Sequence, residues 1–257
     1  MKKENAKKII DELILTFLRA GKTSIDLRKK GLIKKIKSDN TPVTNADIEV
    51  NNILTKKINQ LTPDIPIISE ETSLNKEVKN LKNFWLIDPI DGTNDYINNR
   101  EEFTLNASLV INNEPQIALV NAPDKNRLFY TYGKDFCFEL RNEKKIKLEC
   151  KKLTNEGEIK ALSYSENLKP EILNIHKKYG VTECIKMKSS LKFCVIASGE
   201  YDLYVAEPRA CEWDIAAGHA ILKNAGGQIT DFDGNEILYG KENFKNPSII
   251  LKRASIL

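Results

Sequence analysis

The sequence predicts an α/β (α+β) protein, with an antiparallel meander in an N-terminal lobe and a smaller α/β lobe at the C-terminal end. Three observations predict it. An amphipathic helical stripe opens the chain, short β-branched and aromatic runs crowd its middle, and strands alternate with helices after about residue 158.

Each element follows from its residues. Ile9, Ile10, Leu13, Ile14, Phe17 and Leu18 recur at helical spacing over residues 4–20. A basic, poorly patterned stretch runs from Arg28 to Lys37 and reads as a solvated loop. Residues 44–60 form a second helix, with Thr44 as its cap and Asp47 three residues on. Ile65–Ser69 and Phe84–Asp88 are apolar strands that end in polar residues. Strands over 104–111, 116–122, 127–132 and 136–140, separated by turn signals such as Asn112-Asn113, make the meander. Strands at 160–164, 183–187 and 201–205 then alternate with helices at 170–179, 191–198 and 213–225, the last stopped by Gly226-Gly227. The polar stretch Lys151–Glu158 is the expected boundary between lobes 1–150 and 151–257, which form one compact unit sharing a cleft.

Composition narrows the function. The chain of 257 residues is 41% hydrophobic and 30% charged, enough apolar material for a sizeable core. A net charge of +4 without an isolated basic block argues against a nucleic-acid-coating protein and suits an anionic small molecule. Five cysteines, none at a C-x-x-C spacing, suggest free thiols in a reducing compartment. Two histidines make a histidine-rich metal site unavailable and direct metal chemistry to oxygen ligands. No long apolar run follows Met1–Asn5, so a cytoplasmic protein is expected, with peripheral attachment to the membrane face left open. A monomer and a homodimer are both compatible.

The segment Asp88-Pro89-Ile90-Asp91-Gly92-Thr93 carries the strongest chemical signal. An apolar strand delivers Asp88, and Pro89 and Gly92 turn the chain so that Asp91 comes beside it. Two packed carboxylates repel unless a cation lies between them. Thr93 opens a short helix whose free N–H groups favour a phosphate. Glu70-Glu71 at a strand exit and Glu212-Trp213-Asp214 at a helix start converge on the same kind of cleft. Glu70, Asp88, Asp91 and Asp214 give an all-oxygen set suited to two or three magnesium ions. Taken singly, Glu70-Glu71 reads as a solvated pair and Asp214 as a helix cap. Their joint occurrence in this order moves the reading to function.

These residues resemble the two signature regions of the inositol monophosphatase superfamily, and the resemblance runs from Thr41–Asp47 to the last strand near Ser248. It implies a layered αβαβα sugar-phosphatase fold and a magnesium-dependent, lithium-sensitive phosphomonoesterase. Ser189-Ser190-Leu191-Lys192-Phe193-Cys194, Gly218-His219-Ala220 and Glu102-Phe103-Thr104 are similar to the CysQ branch, the 3′(2′),5′-bisphosphate nucleotidases. The resemblance implies metal ligands at Glu70, Asp88, Asp91, Asp214 and the Ile90 carbonyl, with Glu71 as a candidate further ligand. It implies Asp47 and Thr93 as the pair that orients and deprotonates water, with Glu70 also catalytic. Gly92 and Thr93 amides would hold the phosphate, and Ser189, Ser190 and Lys192 the nucleotide. A solvated lysine is the competing reading of Lys192. Hydrolysis would proceed by direct in-line attack of water, since no Cys-His or Ser-His nucleophile is apparent.

The chain also departs from that branch. Ala206 stands where many members carry Arg, Arg209 appears three residues later, Asn94 replaces a frequent Lys, and Leu162–Ser165 lacks basic character. An inositol monophosphatase or sugar bisphosphatase is the alternative activity. A regulatory member binding RNA or protein, with the 28–37 stretch facing an acidic partner, is the alternative from another class.

Overall fold

A computed structural model describes residues 1–38, 40–75, 81–150 and 158–253. The expected lobe boundary at Lys151–Glu158 lies, apart from Glu158, outside the described residues. The helices are α1 (Lys3–Lys30), α2 (Asn45–Leu61), α3 (Thr93–Ile97), α4 (Pro170–Lys178), α5 (Leu191–Ala197) and α6 (Glu212–Asn224). Strands β1 (Lys34–Ile36) and β2 (Pro42–Thr44) form a small antiparallel pair.

A seven-stranded sheet holds β3 (Ile67–Ser69), β4 (Phe84–Asp91), β5 (Thr104–Ile111), β6 (Glu114–Ala122), β7 (Arg127–Thr131), β8 (Cys137–Arg141) and β9 (Lys144–Lys147) in chain order. Only the β3–β4 pairing in it is parallel. The remaining strands are β10 (Ile159–Ser163), β11 (Val181–Lys186), β12 (Leu203–Ala206), β13 (Gln228–Thr230) and β14 (Ile249–Lys252). They form a second sheet in the order β11-β10-β12-β14-β13.

Period-two alternation decides how these parts stack. On β4, Trp85 and Ile87 face one side with Ile10, Phe17, Val50 and Leu54 of α1 and α2. Phe84 and Leu86 face the other, where Val195 and Ile196 of α5 and Ile215 and Ala220 of α6 pack. Leu162, Tyr204, Ile249 and Leu251 of the second sheet close that middle layer from the far side. Their neighbours Ala161, Leu203 and Val205 turn outward onto Ile172 of α4. Helix, sheet, helix, sheet and helix thus follow one another, giving the expected αβαβα layering. Each Leu, Ile or Phe buried fully in it contributes about 1.5–3 kcal/mol.

Several elements exceed their sequence-based bounds. α1 runs to Lys30, because Gly21 brings it against Asn121 and Pro123; a Cβ at Gly21 would meet Asn121 Nδ2 at 2.5 Å. The stretch 28–37 is therefore only partly loop. β9 and β13 were not expected: Lys144–Lys147 is exposed throughout, an edge strand without an apolar face, and Gln228–Thr230 has three residues. α6 begins at Glu212, and Gly218 lets α5 approach it; a Cβ there would lie 2.5 Å from Phe193. Among the described residues, no helix is long and apolar enough to cross a membrane. Among the described residues the five cysteines form no disulfide.

The middle layer also holds a buried imidazole. His219, 4% exposed, bonds through Nδ1 to the Tyr239 hydroxyl at 2.9 Å. Burial, reinforced by the charges of Lys223 and Lys241, holds its pKa down at about 3. The fold therefore keeps it neutral while the unfolded chain takes up a proton below pH 6.5, so stability drains as pH falls from 6.5 towards 3. Urea unfolding should show His219→Gln gaining about 2 kcal/mol on the parent between pH 6.5 and 5, one proton's worth. Parallel pH dependences in the two proteins would refute this.

Candidate active site

The site forms where β4 breaks its own ladder. Asp88 pairs with Asn106 of β5, the register shifts, and pairing resumes at Asp91 with Thr104. Pro89 has no N–H to give to the ladder, and the Ile90 N–H turns instead to Asp88 Oδ1 at 3.1 Å. The strand was expected to end at Asp88. It continues through Asp91, and a bulge, rather than a simple turn, brings both carboxylates to the same cavity. Gly92 follows at φ 90°, a left-handed conformation that suits glycine, and α3 starts at Thr93.

Asp47 arrives from a different layer. It is N3 of α2, and its Oδ2 accepts from the Thr44 N–H (2.8 Å) and the Thr44 hydroxyl (2.6 Å), closing the expected capping box. Its Oδ1 lies 3.3 Å from Thr93 Oγ1, which is also 3.0 Å from the Ile90 carbonyl. The single Thr93 proton serves one of these acceptors at a time, which leaves its oxygen lone pairs for another donor. Asp214 is N3 of α6 and accepts the Cys211 N–H at 2.7 Å. Glu212 beside it, fully buried, accepts the N–H groups of Gly240 and Lys241 and so fixes where α6 begins.

A cavity of about 370 Å³ is lined by Glu70, Asp88, Ile90, Asp91, Gly92 and Thr93. Asp214, Ser189, Ser190 and Lys192 complete the predicted set in the same cavity. Asp47 and Glu71 stand behind this lining, Asp47 reaching it through Thr93. Ser190 N–H donates to Asp91 Oδ2, while the Ser190 hydroxyl is held by Asn106 (2.7 Å) and Thr104 (3.0 Å) of β5. Lys192 Nζ donates to the Ser189 carbonyl.

Lys37 is the residue that pattern reading missed. It leaves β1 and bonds Glu70 Oε1 at 2.9 Å and Glu71 Oε1 at 2.8 Å, with its side chain only 10% exposed. Burial alone would lower its pKa, but the two carboxylates raise it well beyond an ordinary lysine. Burial pushes Glu71 up to about 7 despite this partner. No spacing rule marks Lys37, because its partners are remote in sequence. In chelator at pH 8, Lys37→Met should lose about 3 kcal/mol of stability by leaving Glu71 buried without a counter-charge. An unchanged urea midpoint would show that the pair carries no such load.

The other carboxylates carry an unresolved repulsion. Asp88 is pushed well above the usual range by burial and then by Glu70, Asp91 and Asp214. Asp214 is raised by burial and by Asp91, and Asp91 by burial against the opposing charge of Lys192. Among the described residues no three acidic, thiol or imidazole groups already stand in ligating geometry. Hydrogen bonds within the chain hold the side chains: Ser190 to Asp91, Cys211 to Asp214, Lys37 to Glu70. The donor set nevertheless fits a hard divalent cation, being all oxygen, largely buried and short of positive charge. Such a cation would offset the repulsion that raises these groups.

An acidic cavity at the broken strand β4, in a layered αβαβα fold, fits the class of phosphate-ester hydrolases. The inositol monophosphatase family profile matches residues 3–254, and the chain belongs to that family. As a member it is a phosphatase. It is 35% identical over 237 residues to the 3′(2′),5′-bisphosphate nucleotidase CysQ of Buchnera aphidicola, covering 91% of this chain and 88% of that one. The protein of the same name from Salmonella typhimurium is 34% identical, with 82% and 85% covered. The crystal structure of CysQ from Bacteroides thetaiotaomicron superposes with a TM-score of 0.76 at 27% identity, over 98% of both chains.

Proposed function

We propose that this chain is a magnesium-dependent 3′(2′),5′-bisphosphate nucleotidase of the cytoplasm, releasing phosphate from adenosine 3′,5′-bisphosphate to leave AMP. The observation that carries this is the convergence of the acidic signature residues and the Ser189–Lys192 segment on one cavity, in a family whose similar members bear that name. Free cysteines support a reducing compartment.

Glu70, Asp88, Asp91, Asp214 and the Ile90 carbonyl would hold magnesium, with Glu71 as a further ligand. When bound, magnesium supplies positive charge that acidifies water and stabilises the phosphoryl and leaving oxygens. The remaining work falls to the chain. Thr93 Oγ1 accepts a hydrogen bond from water and passes its own proton to Asp47, which burial and Glu70 make more basic than an ordinary carboxylate. Glu70, which lines the same cavity, would help orient that water. Gly92, left-handed at φ 90°, and Thr93 at the start of α3 both line the cavity, and their amides hold the phosphate oxygens. Water oxygen forms the new P–O bond as its proton replaces the one Thr93 Oγ1 passes to Asp47, the ester P–O bond breaks, the leaving alkoxide takes up a proton from solvent water, and Asp47 returns its proton to solvent. Ser189, Ser190 and Lys192 hold the nucleotide side, Ser190 through its grip on Asp91.

The test is a panel of adenosine 3′,5′-bisphosphate, inositol 1-phosphate and fructose 1,6-bisphosphate, with magnesium and with excess chelator. The nucleotide should be preferred, and only with magnesium. Preference for inositol 1-phosphate would reject the substrate, and full activity in chelator would reject the metal.

A further inference from the structure

Ser190 does not cap its own helix. A serine at an N-cap ordinarily accepts an N–H from the first turn. Ser190 stands at the N-cap of α5, yet its side chain makes no such bond. Its hydroxyl is spent on β5 instead, donating to Asn106 Oδ1 at 2.7 Å and meeting the Thr104 hydroxyl at 3.0 Å. Ser189 before it is left-handed at φ 54°, a strained conformation for a residue with a Cβ. The N–H that follows this twist reaches across to Asp91 Oδ2.

Asn106 and Thr104 are the β5 residues paired with Asp88 and Asp91, the two ends of the β4 bulge. The bulge is therefore clamped from its neighbouring strand through one serine. Asn106 is 1% exposed. Its Nδ2 is buried and completes no well-formed hydrogen bond among the described residues, a condition that costs stability. The amide nevertheless acts on Asp91. Burial raises that carboxyl, while the Lys192 charge, the Ser190 N–H and the Asn106 side chain draw it back. An amide can accept from Ser190 at one end and offer N–H groups towards Asp91 at the other. It does so without adding charge to a site already crowded with carboxylates.

We propose that Asn106 is a positioning residue, which fixes the Asp91 carboxylate to receive a divalent cation, with Ser190 as the link between them. This rests on the reading of Asp91 as a magnesium ligand, and not on which phosphate ester is cleaved. A group standing behind a ligand in this way typically changes metal affinity about ten- to a hundredfold.

The experiment titrates magnesium into the metal-free protein by calorimetry, with no substrate present. It compares the parent with Asn106→Leu, Ser190→Ala, the double variant and Asp91→Asn, each checked for folding by its melting curve. Asn106→Leu should weaken magnesium binding at least about tenfold. The magnesium concentration for half-maximal turnover should rise by the same factor. Ser190→Ala should weaken binding as well, and the double variant should bind no worse than Asn106→Leu, because the two residues act along one path. The double variant removes both partners of the bond and orphans neither, so it supplies the measurement if Asn106→Leu fails to fold. Unchanged binding in the Asn106 variants, beside an impaired Asp91→Asn, would overturn this proposal alone. So would effects of the two single changes that simply multiply in the double variant. An Asp91→Asn protein that binds magnesium as the parent does would reject Asp91 as a ligand, and both readings with it.

Discussion

Asp91→Asn is expected to lower kcat at least about a thousandfold, the range seen when a charge-stabilising group is removed from a reaction centre. The substitution is isosteric and keeps an oxygen for the Ser190 N–H, so the bulge and α5 should stay in place. Stability should move the other way. The Asp91 charge raises both Asp88 and Asp214, and removing it relieves them. In chelator the variant should therefore unfold about 1–2 kcal/mol later than the parent, the usual sign of a residue kept for function at the expense of stability. Near-normal turnover would remove Asp91 from the mechanism, and a fall in stability would mean that the repulsion is not real.

Arg127→Met should be the most damaging change outside the cavity. Arg127 is 7% exposed and bridges Glu139 of β8, at 2.6 and 3.2 Å, to Glu200 ahead of β12. It thereby ties the seven-stranded sheet to the second one. Glu139 is only 3% exposed and would be left as a lone buried charge, while Glu200, at 40% exposure, would return to water. Breaking one side of such a pair costs about 3–5 kcal/mol, a large share of a typical domain's 5–15 kcal/mol. The melting temperature should fall by roughly 10 °C. Adding Glu139→Leu should recover most of it, because an apolar pair of similar volume avoids the desolvation penalty. A single variant within about 1 kcal/mol of the parent would contradict this assignment.

The parts of the fold legible in the sequence are those where one short-range rule dominates. Alternation fixed the meander strands, helical spacing fixed α1 and α4, and Thr44 with Asp47 announced the start of α2. The Asp88–Thr93 segment was legible because Pro, Gly and two acids in six residues leave few alternatives. Long-range events were not legible. Continuation of α1 past Gly21 depends on Asn121 and Pro123, about a hundred positions away. Lys37 meets Glu70 and Glu71 only once the β1–β2 pair has folded. Arg209 was visible as a departure from a pattern, but its place on the Tyr164 ring depends on two segments of the second sheet coming together. β4 was shortened because a proline in a strand is normally its end, and here a bulge absorbs it.

α6 has a consequence for synthesis. The strands of the larger sheet have all left the ribosome once Lys147 emerges, yet the face carrying Phe84, Leu86 and Val120 is covered by α5, α6 and other segments that come much later in the chain. Until those helices and the loop around Tyr239 and Gly240 emerge, a nascent polypeptide displays a broad oily surface to its surroundings, a state prone to aggregation. Premature termination before Glu212 should therefore yield insoluble material and recruit chaperones, whereas truncation after Lys252 should not.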